Sequence, residues 1–119
     1  MMMICHFNMK EKNNFKELCN LTTSLMGLDK GSLAHKSRKN KWHIPRCVVS
    51  VIARMVDQTH QTIIAKELNR DRSLIYHYEK THPNNYSSWE EYRNTFNKVY
   101  NAYSNLQGAK RTFTDLYHL

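Results

Sequence analysis

The run Ile63-Ile64-Ala65-Lys66-Glu67-Leu68-Asn69-Arg70-Asp71-Arg72-Ser73-Leu74-Ile75-Tyr76-His77-Tyr78-Glu79-Lys80 leaves this chain few ways to fold. Apolar residues at 63, 64, 65 and 68 give a short helix one face to bury. Asn69-Arg70 is a tight polar turn. Asp71 is a residue type that caps a helix by accepting a backbone N–H two or three residues on. Arg72 and Ser73 then stand at the exposed N-terminal end of a second helix, whose Ile75 and Tyr78 face back toward a core. The pattern predicts a helix-turn-helix, in which the second helix offers its first turn to a major groove.

Bulk properties agree with a small helical domain. The chain has 119 residues, with 18 Lys and Arg against 10 Asp and Glu, a net charge of +8. Such a field favours polyanions, nucleic acid or an anionic membrane surface, although a solvated basic surface gives the same balance. With three Gly and two Pro there are few chain breakers. Cys5, Cys19 and Cys47 are an odd number without a Cys-x-x-Cys spacing, which points to a reducing, cytoplasmic setting and not to a disulfide scaffold. The seven His form no zinc pattern, so neither metal nor cofactor is expected. No apolar run approaches the ~18 residues that span a membrane.

In chain order, residues 1–12 read as a flexible N-terminus. A helical spacing begins at Asn13 or Asn14, with Phe15, Leu18, Cys19, Leu21, Leu25 and Met26 on one side and Gly27 as its stop. His35-Lys36-Ser37-Arg38-Lys39-Asn40-Lys41 is a basic loop, suited to clamping phosphate or simply solvated. Trp42-His43-Ile44-Pro45 opens a longer helix, with Pro45 expected in its first turn. Val48, Val49, Val51, Ile52, Met55 and Val56 make that helix a core element. Thr81-His82-Pro83-Asn84-Asn85 is expected to break the chain. Ser88-Trp89-Glu90-Glu91 has the form of a capping box. It opens a helix bearing Trp89, Tyr92, Phe96, Val99, Tyr100, Tyr103 and Leu106, with Gly108 as a stop. That aromatic stripe is either core or the seam of a homodimer through the 88–106 helix. Phe113, Leu116 and Tyr117 of the tail are expected in a short helical turn or docked onto a partner. The organisation expected is thus 1–12 flexible, 13–82 the helix-turn-helix domain, and 83–119 a C-terminal helix and tail on the same domain.

Ile64-Ala65 followed by Asn69-Arg70-Asp71-Arg72-Ser73-Leu74-Ile75-Tyr76-His77 resembles the signature of the DnaA replication initiator's C-terminal DNA-binding domain. Upstream, Ile44-Pro45-Arg46 resembles the Pro-Arg that starts that family's long helix, and Lys36 to Lys41 its basic loop. The resemblance covers residues 15 to 82. It implies an all-α, Trp-repressor-like helix-turn-helix domain, here with an extra C-terminal helix. It also implies a set of DNA contacts. Arg38 would enter a minor groove, with Lys36, Lys39 and Lys41 around it. Arg46 would touch base or phosphate, and Arg54 would hold phosphate. Gln61 and Thr62 would offer backbone N–H groups to a phosphate. Arg70, Asp71, Arg72, Ser73, Leu74 and His77 would line the major-groove face, with Arg72 able to fork onto guanine and Asp71 to accept from cytosine. The chain departs from the family where reading happens. Its two-Gly turn is Asn69 here, its His is Arg72, its two Thr are Ser73 and Leu74, the Gln after its Pro-Arg is Cys47, and a small residue is Tyr78. The family's own target sequence is therefore not expected to be kept. The initiator's ATPase motif is missing as well, which implies a stand-alone domain such as a phage or mobile element carries.

The expected function is thus sequence-preferring binding of double-stranded DNA in replication or transcription control. The expected setting is the cytoplasm of a bacterial or phage-infected cell. The alternative is a protein-interaction module, a degenerate helix-turn-helix that inhibits or regulates a host polymerase or replication protein. Enzyme activity is not expected, because His60, His77 and His82 have no carboxylate or nucleophile at a telling spacing.

Overall fold

The computed structural model describes the backbone of residues 2–117 and the side chains of residues 9–109. Every regular element among them is helical. α1 (Met2–Met26) leads through a 3-10 turn (Ser32–Ala34) to α2 (Asn40–Ile52), which runs on into a π-type turn (Ala53–Asp57). α3 (Gln61–Leu68), α4 (Arg72–Ser88) and α5 (Glu90–Tyr117) follow. The chain is an all-α domain, as its composition and spacing imply.

α2 is the axis of the core. It is buried continuously from Ile44 to Ile52 and packs against α1, α4 and α5. Its β-branched residues lower intrinsic helix propensity, but a helix apolar on all sides is stabilised by burial. Phe15 and Leu18 of α1, Ile64 and Leu68 of α3, Ile75 of α4, and Tyr92, Val99 and Tyr103 of α5 are all at most 1% exposed around it. Each such side chain contributes roughly 1.5–3 kcal/mol by leaving water. Polar contacts orient the outer helices. Tyr103 donates to Asp57 Oδ2 at 2.5 Å, and Lys98 Nζ donates to the Leu25 carbonyl at 3.3 Å.

The helices are longer than the sequence pattern predicts. α1 starts at Met2, not near residue 13, because no Gly or Pro interrupts it and Met, Lys and Glu are good helix formers. Residues 9–12 thus belong to a helix that docks on α3, where Lys12 pairs with Glu67 at 3.7 Å. α1 ends where Gly27, at φ 69°, lets Leu28 N–H reach the Thr23 carbonyl at 2.8 Å.

α4 does not break at residues 81–85. Pro83 lies inside it with its ring exposed, and the hydrogen bond it removes is offset by aromatic packing of that turn on α5. The His82 ring lies 4.7 Å from Phe96 and 5.6 Å from Tyr92, and Tyr86 meets Phe96 edge-on. The boundary expected at 82/83 therefore falls in mid-helix.

Ser88 does not form a capping box. Its hydroxyl donates back to the Asn84 carbonyl at 2.6 Å, while Arg93 closes the end of α4 on the Tyr86 carbonyl at 3.1 Å. α5 continues past Gly108 to Tyr117. The side chains of Phe113, Leu116 and Tyr117 lie outside the described residues. The aromatic stripe of α5 is core: Tyr92, Phe96, Val99 and Tyr103 are buried against the chain's own helices. Trp89, Tyr100 and Leu106 of the same stripe are partly buried against that core.

Candidate nucleic-acid interface

The turn between α3 and α4 is built by Asn69. Its φ of 55° is left-handed, a conformation Asn tolerates better than most residues. With it in place, Arg70 N–H reaches the Ala65 carbonyl at 2.8 Å and Asn69 N–H the Lys66 carbonyl at 3.2 Å. These two bonds are the Schellman closure of a helix. Asp71 then occupies the N-cap position of α4, but its side chain makes no capping bond. The carboxylate stands exposed beside Arg72 and Ser73. Behind this tip Ile75 and Tyr78 are buried, so the opposite side of α4 faces solvent. That side carries Arg72, Ser73, Tyr76, His77 and Lys80, all exposed. Tyr76 and Lys80 complete the face although the sequence argument did not include them. Their helical spacing from Ser73 and His77 was the signal available.

The basic loop is shorter than expected, since α2 already begins at Asn40 and carries Lys41. Pro45 consequently lies in the second turn of α2, not the first. Lys36, Arg38 and Lys39 of the loop are exposed, as is Lys41. The Lys41 ammonium sits over the Trp42 ring, 5.1 Å from its centroid, and His35 stacks on the same ring at 5.6 Å.

Arg46 fixes this loop. It is 2% exposed and donates Nε to the Leu33 carbonyl and Nη1 to the Ser37 carbonyl, both at 2.6 Å. Its Nη2 donates to the His35 carbonyl. Arg70 Nη2 donates to that same His35 carbonyl at 2.5 Å. Its Nη1 holds the Leu68 and Asn69 carbonyls at 3.1 and 3.0 Å. Two guanidinium groups thus tie the basic loop to the α3–α4 turn. Burial, and then the Arg70 charge, pull Arg46 below the ordinary guanidinium range. The expectation that Arg46 contacts DNA is corrected by this arrangement, because the side chain is buried and each guanidinium nitrogen is bound to a loop carbonyl.

Between loop and α4 lies an open cleft of about 580 Å3, lined by Lys36, Arg38, His43, Arg46, Arg70, Leu74 and Tyr78. His43 is held below its usual value by burial, then by Arg46 and by His77. Its Nε2 lies 3.7 Å from Cys47 Sγ. Burial pushes the Cys47 thiol up to about 12, so at neutral pH it is a thiol and not a thiolate nucleophile.

Of the remaining expected contacts, Arg54 and the Gln61 side chain are engaged within the fold, while the Thr62 side chain is exposed. Arg54 donates Nε to Glu79 Oε1 at 2.6 Å and Nη1 to the Thr59 carbonyl at 3.0 Å. Gln61, with its amide oxygen toward Arg54, accepts from Nη2 at 3.1 Å and is 7% exposed. Arg54 therefore clamps the π-type turn to α4 and does not stand free for phosphate. The Thr62 N–H is likewise taken, by His60 Nδ1 at 3.1 Å. His60 caps α3, which sequence reasoning missed because His is an unusual N-cap residue. Among the described residues no three His, Cys, Asp or Glu side chains group in a way that could hold a metal ion. None of the described helices is long and apolar enough to cross a membrane.

Comparison of the chain with protein-family models, with curated proteins and with solved structures finds no match.

Proposed function

We propose that this protein binds double-stranded DNA, with the exposed face of α4 in the major groove and the loop at 36–41 on the adjacent backbone and minor groove. The observation that carries this reading is a shared cleft. Lys36 and Arg38 of the basic loop, which Arg70 ties to the α3–α4 turn, line it together with Leu74 and Tyr78 of α4, next in sequence to the exposed Ser73 and His77. The exposed Arg72 side chain suits a fork onto guanine O6 and N7. The Leu74 methyls suit a thymine methyl, and the Asp71 carboxylate suits a cytosine amino group. Lys36, Arg38, Lys39 and Lys41 supply the salt-dependent part of the affinity. Control of replication or transcription in a bacterial or phage-infected cell is the role such a domain fits.

Titration of a labelled duplex at several salt concentrations tests the reading. The logarithm of affinity should fall linearly with the logarithm of salt, with a slope of about −0.9 per phosphate neutralised. Arg72→Glu should weaken binding by about five- to 150-fold, since one bidentate base contact contributes roughly 1–3 kcal/mol. Affinity indifferent to salt, or an Arg72→Glu protein that binds like its parent, would sink it. A protein partner is the second reading. It is favoured by Met55 and Val56, which leave apolar surface 57% and 38% exposed beyond the end of α2.

A further inference from the structure

We propose that the nucleic-acid surface extends beyond the α3–α4 pair onto α1, where Lys12 and Lys16, with Lys66 of α3, form a second set of phosphate contacts. This rests on the DNA-binding reading above.

Three depressions lie side by side on the surface, each sharing lining residues with the next. The first, about 580 Å3, lies between α1 and α3 and takes in Lys12, Lys16, Thr62 and Lys66. The second, about 380 Å3, runs along the turn and again includes Lys66, now with Asn69, Arg70 and Asp71. Arg70 and Leu74 are common to this one and to the cleft under the basic loop. A path therefore leads from α1, along the outer side of α3, past the turn, to Lys36 and Arg38.

The charge along the path is mostly of one sign. Lys12 and Lys16 are one helical turn apart and share a face of α1. Thr62 and Lys66 have the same relation on α3. Lys16 and Lys66 are exposed. Lys12 pairs with Glu67 at 3.7 Å, its own side chain 45% and that of Glu67 19% exposed, and a pair at the surface contributes about 0–1 kcal/mol. It can yield to a phosphate at little cost. α3 has eight residues, a length of about 12 Å, which matches the axial advance of roughly three phosphates on one strand. Where α1 begins decides whether this track exists. Had residues 1–12 been loose chain, Lys12 would have no fixed place beside α3.

The groove between α1 and α3 also has apolar wall, from Met9 and Ile63. An acidic protein segment is therefore the rival occupant. The continuity with the cleft under the basic loop, and lysines on both walls, favour the phosphate backbone.

The test compares the full chain with its triple variant Lys12→Gln, Lys16→Gln, Lys66→Gln on a random-sequence duplex of about three turns, ~30 base pairs. Thermal melting checks that the variant stays folded, and Lys16→Gln with Lys66→Gln alone, which spares the Glu67 pair, is the reserve. The salt slope should shrink by about 2–3, at ~0.9 per contact. A parent that binds duplex and a folded variant with the parent's salt slope would overturn the proposal and leave DNA binding standing. A parent that binds no duplex would overturn both. Binding of a polyglutamate peptide that vanishes in the variant, with the duplex slope unchanged, would also overturn the proposal and give the groove to a protein partner.

Discussion

Arg46 shows how a charged residue that looks like a ligand contact becomes part of the fold. Each of its three guanidinium nitrogens donates to a carbonyl, of Leu33, His35 and Ser37, and burial of such a side chain is tolerated because of those bonds. Replacing it with Met fills the volume but leaves the carbonyls without their donor. Arg46→Met should therefore cost roughly 3 kcal/mol, the scale of losing hydrogen bonds to a charged group, read as a lower urea midpoint and faster proteolysis between residues 35 and 39. Arg38→Gln, on an exposed side chain, should leave the midpoint unchanged and weaken duplex binding. The sequence placed Arg46 beside a basic loop and a Pro. It could not say that α2 points this guanidinium under the loop and not out of it. Arg54 is the same case, with Glu79 distant in sequence and adjacent in space.

Elements were legible wherever their signal was local. The α3–α4 pair could be read from its apolar spacing and from Asn69, since a left-handed turn residue is a property of the sequence itself. That gives a test of the turn. Asn69→Gly should keep or slightly raise stability, while Asn69→Val forces a β-branched residue to φ 55° and should cost about 1–2 kcal/mol. A denaturant series on both variants checks it, and equal midpoints would remove the strain argument. Helix ends were legible less often. Pro83 and Gly108 are breakers by propensity, yet α4 and α5 pass through them. At Pro83 the His82, Tyr86 and Phe96 rings outweigh one lost backbone bond. At Gly108 a helix anchored by buried residues overrides a penalty of about 1 kcal/mol.

For the whole molecule, two half-buried histidines set a pH response. His82 takes part in a 2.7 Å hydrogen bond with the Tyr92 hydroxyl and is held below its usual value by burial. His43 is lowered by burial, Arg46 and His77. Between the depressed folded values and about 6.5, the unfolded chain binds protons that the folded chain does not. Stability should therefore be whole above pH ~6.5 and be lost as pH falls below it. A urea midpoint that is flat from pH ~8 to ~7 and declines below ~6.5 is the expected result. In His82→Gln the decline should be shallower whatever the variant's stability at neutral pH. A decline of unchanged steepness would remove His82 as a source.

The sequence by itself determined that this chain is helical, that it carries a helix-turn-helix pair with an exposed tip at Arg72 and Ser73, and that a basic loop precedes it. Those features depend on residue spacing, side-chain type and formal charge, all local properties. Tertiary structure decided which cations face solvent. Packing around α2 turned Arg46, Arg54 and Gln61 inward, left Tyr76 and Lys80 on the open side of α4, and brought Lys12 and Lys16 beside Lys66. The direction of a side chain depends on what its helix packs against, and that is settled by the whole chain at once.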